Sequence, residues 1–252
     1  MGLSYQYIQD AQKRIQGYIH KTPIIQSQQI NKMLGCDICF KAENFQKVGA
    51  FKARGACNTI FSMDKSDLVN GVITHSSGNH GAALAWAAAL RGASCTVVMP
   101  ENAPAVKKQA VEGYGAKVIQ CLPTMAERER AVADEIEATG SLLIHPYDND
   151  AIISGQGTAA LEMLQQLDSL PDIIMAPVGG GGLLAGTAIA AKSVANNMDS
   201  TIRVVGAEPL GASDAWQGFK AGRRVEEHIP QTIADGLRST VGIRNFMVIS
   251  EQ

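Results

Sequence analysis

From about residue 71 onward, short β-rich apolar runs alternate with helix-patterned stretches, and this alternation leaves the chain few folds to choose from. The runs are Gly71 to His75, Cys95 to Pro100, Ala116 to Cys121 and Leu142 to His145, separated by stretches such as Ala82 to Leu90 and Ala126 to Ala138. The pattern resumes with Ile173 to Val178, a helix through Leu184 to Val194, and Ile202 to Ala207. Strands spaced by helices are the signature of parallel sheets with crossover connections. An α/β protein is therefore expected, with its sites at the carboxyl ends of the strands. Pro146 to Gly157, with Asp, Asn, Ser and Gly in quick succession, reads as a crossing between two lobes. No internal repeat or low-complexity tract interrupts the pattern.

With 252 residues, 46% of them hydrophobic, the chain can bury one large core or two smaller ones. Its net charge of −2, from 22 basic and 24 acidic residues, gives no electrostatic case for nucleic acid or an anionic membrane surface. A small-molecule partner is the expectation. No charge-free apolar stretch reaches membrane-spanning length, and Met1 to Gln6 lacks the apolar block of a secretory signal. Gln6 also stands where a myristoylation start requires Ser or Thr. The five cysteines show no framework spacing, which suits reduced thiols in a cytoplasmic protein. Cys36-Asp-Ile-Cys39 has half the ligands of a zinc site but no second pair at suitable spacing, so it reads as two ordinary thiols.

Gly49-Ala-Phe-Lys-Ala-Arg-Gly-Ala56 sets Lys52 beside Phe51 among small residues. A lysine amine forms a Schiff base only when deprotonated, and desolvation favours that form. Far downstream, Pro177-Val-Gly-Gly-Gly-Gly-Leu-Leu-Ala-Gly186 follows a strand and opens a helix, so Gly179, Gly180, Gly181 and Gly182 offer backbone N–H groups to an anion such as phosphate. Together the two features suggest an aldehyde cofactor that carries a phosphate. The glycine run also reads as a flexible loop, or as a nicotinamide-type fingerprint, Gly180-x-Gly182-x-x-Ala185 followed by Glu208. The fingerprint leaves Lys52 unexplained.

Thr74-His-Ser-Ser-Gly-Asn-His-Gly81 likewise follows a strand and opens a helix, where its short polar side chains suit either a carboxylate ligand or a helix cap. Glu208-Pro-Leu-Gly-Ala-Ser-Asp214 brings two carboxylates around one loop, which suits a hard divalent cation or a solvated cap at Asp214.

These motifs resemble the serine racemase and serine/threonine dehydratase family of type II fold pyridoxal-phosphate enzymes. The similarity runs in order through His20-Lys-Thr-Pro23, Lys41-Ala-Glu-Asn-Phe-Gln-Lys47, Phe51-Lys-Ala-Arg-Gly-Ala56, Ser76-Ser-Gly-Asn-His-Gly81, Gly155-Gln-Gly-Thr158, the four glycines and Ala234-Asp-Gly236. Glu208-Pro-x-x-Ala-x-Asp214 draws the resemblance closest to the eukaryotic-type racemases. It implies two open parallel-sheet lobes with pyridoxal 5′-phosphate between them: residues 1–70 and 149–252 as the large, cofactor-binding lobe and 71–148 as the small one. It also implies roles. Lys52 would be the Schiff-base lysine and the base on one face of the substrate, and Ser77 the acid/base on the other. Phe51 and Gly236 would line the cofactor, Asn79 would bond its ring hydroxyl, and Gly179 to Gly182 its phosphate. Ser76, Asn79 and His80, with Arg128, would hold the substrate carboxylate. Glu208, the Ala212 carbonyl and Asp214 would hold Mg2+ or Ca2+.

The implied activity is racemisation of serine with β-elimination to pyruvate and ammonia. The alternative is dehydration of serine, threonine or 3-hydroxyaspartate without racemisation, and the implied assembly is a homodimer. Two departures stand out. Family members that respond to ATP bind it at a subunit interface, where Lys47 and Tyr114 match but Val48 and Ala82 replace polar residues, which weakens the case for ATP. The family also extends well beyond position 252, and Phe246-Met-Val-Ile-Ser-Glu-Gln252 reads as an unrelated tail on a truncated large lobe. An inactive or regulatory fragment is therefore a competing expectation.

Overall fold

The computed structural model describes residues 3–76 and 78–252. In chain order the elements are α1 (Tyr5–Ile15), β1 (Ile24–Gln26), α2 (Gln28–Leu34), β2 (Cys39–Lys41), α3 (Lys52–Ser62), β3 (Val72–His75), α4 (Asn79–Leu90), β4 (Cys95–Pro100), α5 (Ala105–Gly113), β5 (Lys117–Cys121), α6 (Met125–Thr139), β6 (Leu142–Leu143), α7 (Asp150–Gln166), β7 (Ile173–Pro177), α8 (Gly182–Asn197), β8 (Arg203–Ala207), α9 (Asp214–Ala221) and α10 (Ile243–Glu251). The sequence pattern anticipates half of these, β3, α4, β4, β5, α6, β6, β7, α8 and β8, to within three residues. The last strand of the first group is shorter than expected: β6 stops at Leu143, although the Ile144 N–H still donates to the Ile73 carbonyl at 2.8 Å.

Strands β5, β4, β3 and β6 form one parallel sheet in that order. Every residue of β3 and β4 is buried, as strands covered by helices on both faces must be. Side chains alternate between those faces. Val97 and Met99 join Val72 and the alanines of α4 in one apolar cluster, while Val98 and Ile73 meet Val132 on the other face. A second parallel pair, β7 and β8, carries α8, and β1 and β2 pair antiparallel across α2 in sequence. Among the described residues the outer edge of β8 has no strand partner. Beside it runs a groove of about 550 Å3 lined by Val204, Ala215, Trp216 and Phe219.

The stretch expected as a crossing loop, Pro146 to Gly157, is loop only as far as Asn149. Asn149 caps α7, its side-chain oxygen accepting the Ala151 and Ile152 N–H groups at 2.9 and 3.1 Å. Twelve residues of α7 are buried, and its glycines serve contact with neighbouring helices. A Cβ on Gly155 would lie 2.6 Å from the Gly55 Cα of α3, and one on Gly186 of α8 would lie 2.5 Å from the Gly157 nitrogen.

Arg54 of α3 is fully buried between two carboxylates. It donates to Glu43 at 2.7 and 2.8 Å and to Glu162 of α7 at 2.9 and 3.2 Å. Lys41 of β2 completes the network with a 2.5 Å ion pair to Glu162. These charges pin the first turn of α3, where Lys52 stands, to α7 and to the turn after β2.

Candidate active site

Lys52, the first residue of α3, meets two turns at the carboxyl ends of parallel strands through single residues: Tyr147, whose ring lies against Gly180, and His80, which feels its charge. One follows β3 and opens α4; the other follows β7 and opens α8. The Lys52 Nζ donates to the Pro146 carbonyl at 3.1 Å and lies 5.3 Å from the Phe51 ring centroid and 6.0 Å from that of Tyr147. It has no carboxylate partner among the described residues. Burial brings its ammonium down to about 8 from an ordinary 10.5. A substantial fraction of the amine is then neutral near pH 8, the condition for attack on an aldehyde.

In the β7 turn no N–H of Gly179 to Gly182 finds a protein acceptor among the described residues, while the preceding Val178 N–H is bonded to the Ala207 carbonyl. Gly181 has φ +89°, in the left-handed region that glycine tolerates. A Cβ on Gly179 would meet the Gly236 carbonyl at 3.0 Å, and one on Gly180 would run into the Tyr147 ring. Side-chain-free backbone, unpartnered donors and the start of α8 fit a phosphate. The desolvated Lys52 amine, on a half-buried side chain, fits the aldehyde of the same cofactor.

In the β3 turn, the Ser76 Oγ accepts the Gly78 and Gly81 N–H groups at 3.2 and 3.1 Å, so this serine caps α4. Ser77 lies outside the described residues. Asn79 is exposed at the first position of α4. His80 is buried, and neither of its ring nitrogens has a hydrogen-bond partner among the described residues. Burial, helped by the charge of Lys52, keeps it neutral, its pKa well below the ordinary value. Any bond His80 makes to a carboxylate is thus an N–H donation without positive charge.

Arg128 of α6 has a buried Nε without a partner among the described residues. Beside it stands His75, pushed down to about 4 by burial and by His145 and Arg128. His145 stacks edge-on against His75 at 5.7 Å and against Tyr147 at 4.7 Å.

The loop 145–149 joins these parts. The His145 Nδ1 accepts the Asp148 N–H at 2.9 Å, and Asp148 in turn accepts the Ile243, Arg244 and Asn245 N–H groups at 3.0–3.3 Å, capping α10. Buried Asn245 donates to the Tyr147 and Gly180 carbonyls at 3.1 and 2.6 Å. Sequence reasoning passed over His145, Tyr147 and Asn245. The available signal was position, since His145 and Tyr147 follow a strand's carboxyl end.

The carboxylates expected at a cation site also hold backbone. Glu208 accepts the Ala215 and Trp216 N–H groups at 3.1 and 2.9 Å, capping α9, and the Asp214 Oδ2 accepts the Val241 N–H at 2.8 Å. Burial, with Asp214 nearby, raises the Glu208 carboxyl against the lowering pull of the Ala215 and Trp216 N–H groups. No cluster of three or more His, Cys, Asp or Glu side chains with metal-site geometry occurs among the described residues. The remaining donors are the second oxygen of Asp214, spare lone pairs on Glu208 and backbone carbonyls, an oxygen set that suits only a hard cation. Val48 and Ala82, the departures from the ATP pattern, both pack in the cluster over α4. All five cysteines are free, and burial pushes Cys57 and Cys95 up to about 12.

Residues 15–252 match the family model described as pyridoxal-phosphate dependent enzyme. The chain belongs to this family. Phe246 to Gln252, expected to be an unrelated tail, falls inside the match, and Phe246 and Ile249 pack against Val178, Leu184 and Ala215. A serine racemase of Dictyostelium discoideum is 51% identical over 247 residues, spanning 97% of this chain and 74% of that protein. A beta-hydroxyaspartate dehydratase of Paracoccus denitrificans is 44% identical, spanning 93% and 73%. The crystal structure of the Dictyostelium discoideum serine racemase superposes with a TM-score of 0.92 at 50% identity, covering 99% of this chain and 79% of that one. The chain is thus a type II fold pyridoxal-phosphate enzyme of the racemase and lyase group, shorter than these relatives. No helix among the described residues is long and apolar enough to cross a membrane.

Proposed function

We propose that this chain racemises serine and, at the same site, eliminates its β-hydroxyl to give pyruvate and ammonia. The observation that carries the reading is Lys52: a half-buried side chain whose desolvated amine is lowered to about 8, near a turn rich in short polar side chains and a glycine turn with unpartnered N–H groups. The 51% identity to a serine racemase supports serine as substrate. Pyridoxal phosphate, when bound, delocalises the electron pair left by loss of the α-proton. In this reading Lys52 Nζ moves that proton on one face and the Ser77 hydroxyl on the other. Gly179 to Gly182 donate to the phosphate, Asn79 bonds the ring hydroxyl, and Phe51 and Gly236 line the ring. Ser76, Asn79, His80 and Arg128 orient the carboxylate. Glu208, the Ala212 carbonyl and Asp214 hold Mg2+ or Ca2+. Residues 71–148 form the smaller lobe, and two copies pair.

Dehydration of 3-hydroxyaspartate, serine or threonine without racemisation is the second reading. It is favoured by the 44% identical dehydratase and by Arg128, whose buried Nε has no partner among the described residues and suits a second carboxylate. Purified chain supplied with pyridoxal phosphate decides between them. D-serine and pyruvate from L-serine, both lost in Lys52→Ala, support racemisation. Keto acid and ammonia without D-serine support the dehydratase, and turnover unchanged in Lys52→Ala overturns both.

A further inference from the structure

An ion pair links two segments 128 positions apart across the site: Lys107 of α5 and Asp235, in the turn that carries Gly236. Lys107 lies against the β3 turn, its Cδ and Nζ each 3.3 Å from where a Cβ on Gly78 would stand. Asp235 belongs to the other side. The Gly236 carbonyl and Leu237 Cα pack on Gly179, at 3.0 and 3.2 Å from a Cβ built there. Arg238 folds the same turn by donating to the Thr232 carbonyl at 2.9 Å. The ion pair thus joins the β3 turn to the glycine turn at a point where no other side chain of α5 pairs with the 232–238 segment among the described residues.

We infer that Lys107 and Asp235 form a strap that closes over the site and parts whenever a ligand enters or leaves; the inference rests on the cofactor reading of Lys52. Both side chains are partly exposed, 28% and 55%, so the pair opens at modest cost and is weakened by salt. As positioning residues they act on access, and the rates distinguish them from residues that only stabilise the bound state. Removing a strap speeds uptake and release together, whereas losing a stabilising contact speeds release alone.

The test follows pyridoxal 5′-phosphate uptake and release by absorbance, with borohydride fixation and peptide mapping to Lys52. Lys107→Met and Asp235→Asn should each speed both rates about two- to fivefold, the range expected for one exposed pair, and leave the dissociation constant nearly unchanged. Salt should speed the wild-type rates and leave the variants unmoved. The reversed pair, Lys107→Asp with Asp235→Lys, should restore slow exchange. Unchanged rates in both single variants, or faster release alone, would overturn the strap. Failure of wild-type chain to label at Lys52 would overturn the cofactor reading instead. In that event amide exchange at Gly78 and Gly236 decides on the strap, which requires faster exchange in both variants and is refuted by equal exchange.

Discussion

Lys52 carries a titration that can be followed without turnover. Its amine is lowered to about 8 from 10.5, so labelling by pyridoxal phosphate and borohydride should rise with pH through a midpoint near 8. A midpoint near 10.5 would show an exposed lysine. The shift also has a stability consequence. Between about 8 and 10.5 the unfolded chain binds a proton at this lysine that the folded chain has released, so stability rises with pH across that window. Below it both forms are charged and the cost of burying the ammonium is present in full. Lys52→Met should remove the rise, seen as a flatter dependence of Tm on pH. Lys52 was legible in the sequence because its aromatic neighbour and flanking glycines lie within a few residues. Tyr147 was not, because its ring gains meaning only where the end of β6 meets Gly180.

The helices α3, α7 and α8 touch at glycines, and this contact decides what the elements tolerate. Gly155→Ala would set a methyl group 2.6 Å from backbone of α3, a clash that no rotamer relieves. A loss of about 1–3 kcal/mol is expected, with a lowered Tm in thermal melts. Arg54→Ala should cost more, about 3–5 kcal/mol, because it strands Glu43 and Glu162 without their shared cation. The same glycines explain why α7 was read as a loop. Ser154, Gly155 and Gly157 are turn-formers by local propensity, but here small size permits close approach and burial outweighs propensity. The strands of the four-stranded sheet were easier to read, since continuous apolar runs and their spacing are local properties. Their order, β5-β4-β3-β6, is set by crossover packing and appears in no single segment.

At the scale of the molecule, the cation proposal predicts that Mg2+ or Ca2+ raises Tm and that Glu208→Gln abolishes the rise. The edge of β8, without a strand partner among the described residues and beside exposed Trp216, predicts self-association that grows with concentration. Trp216→Lys, at a side chain 60% exposed, should reduce it, as read by light scattering. The two turns at strand ends were anticipated from the alternating pattern, but their convergence on one lysine depends on every crossover being in place. Lys52, Tyr147 and Gly180 come from segments far apart in the chain, so long loops must close before they meet. Cofactor capture at Lys52 should therefore appear late in refolding, after native helix content has returned, and serve as a clock for the completion of the native state.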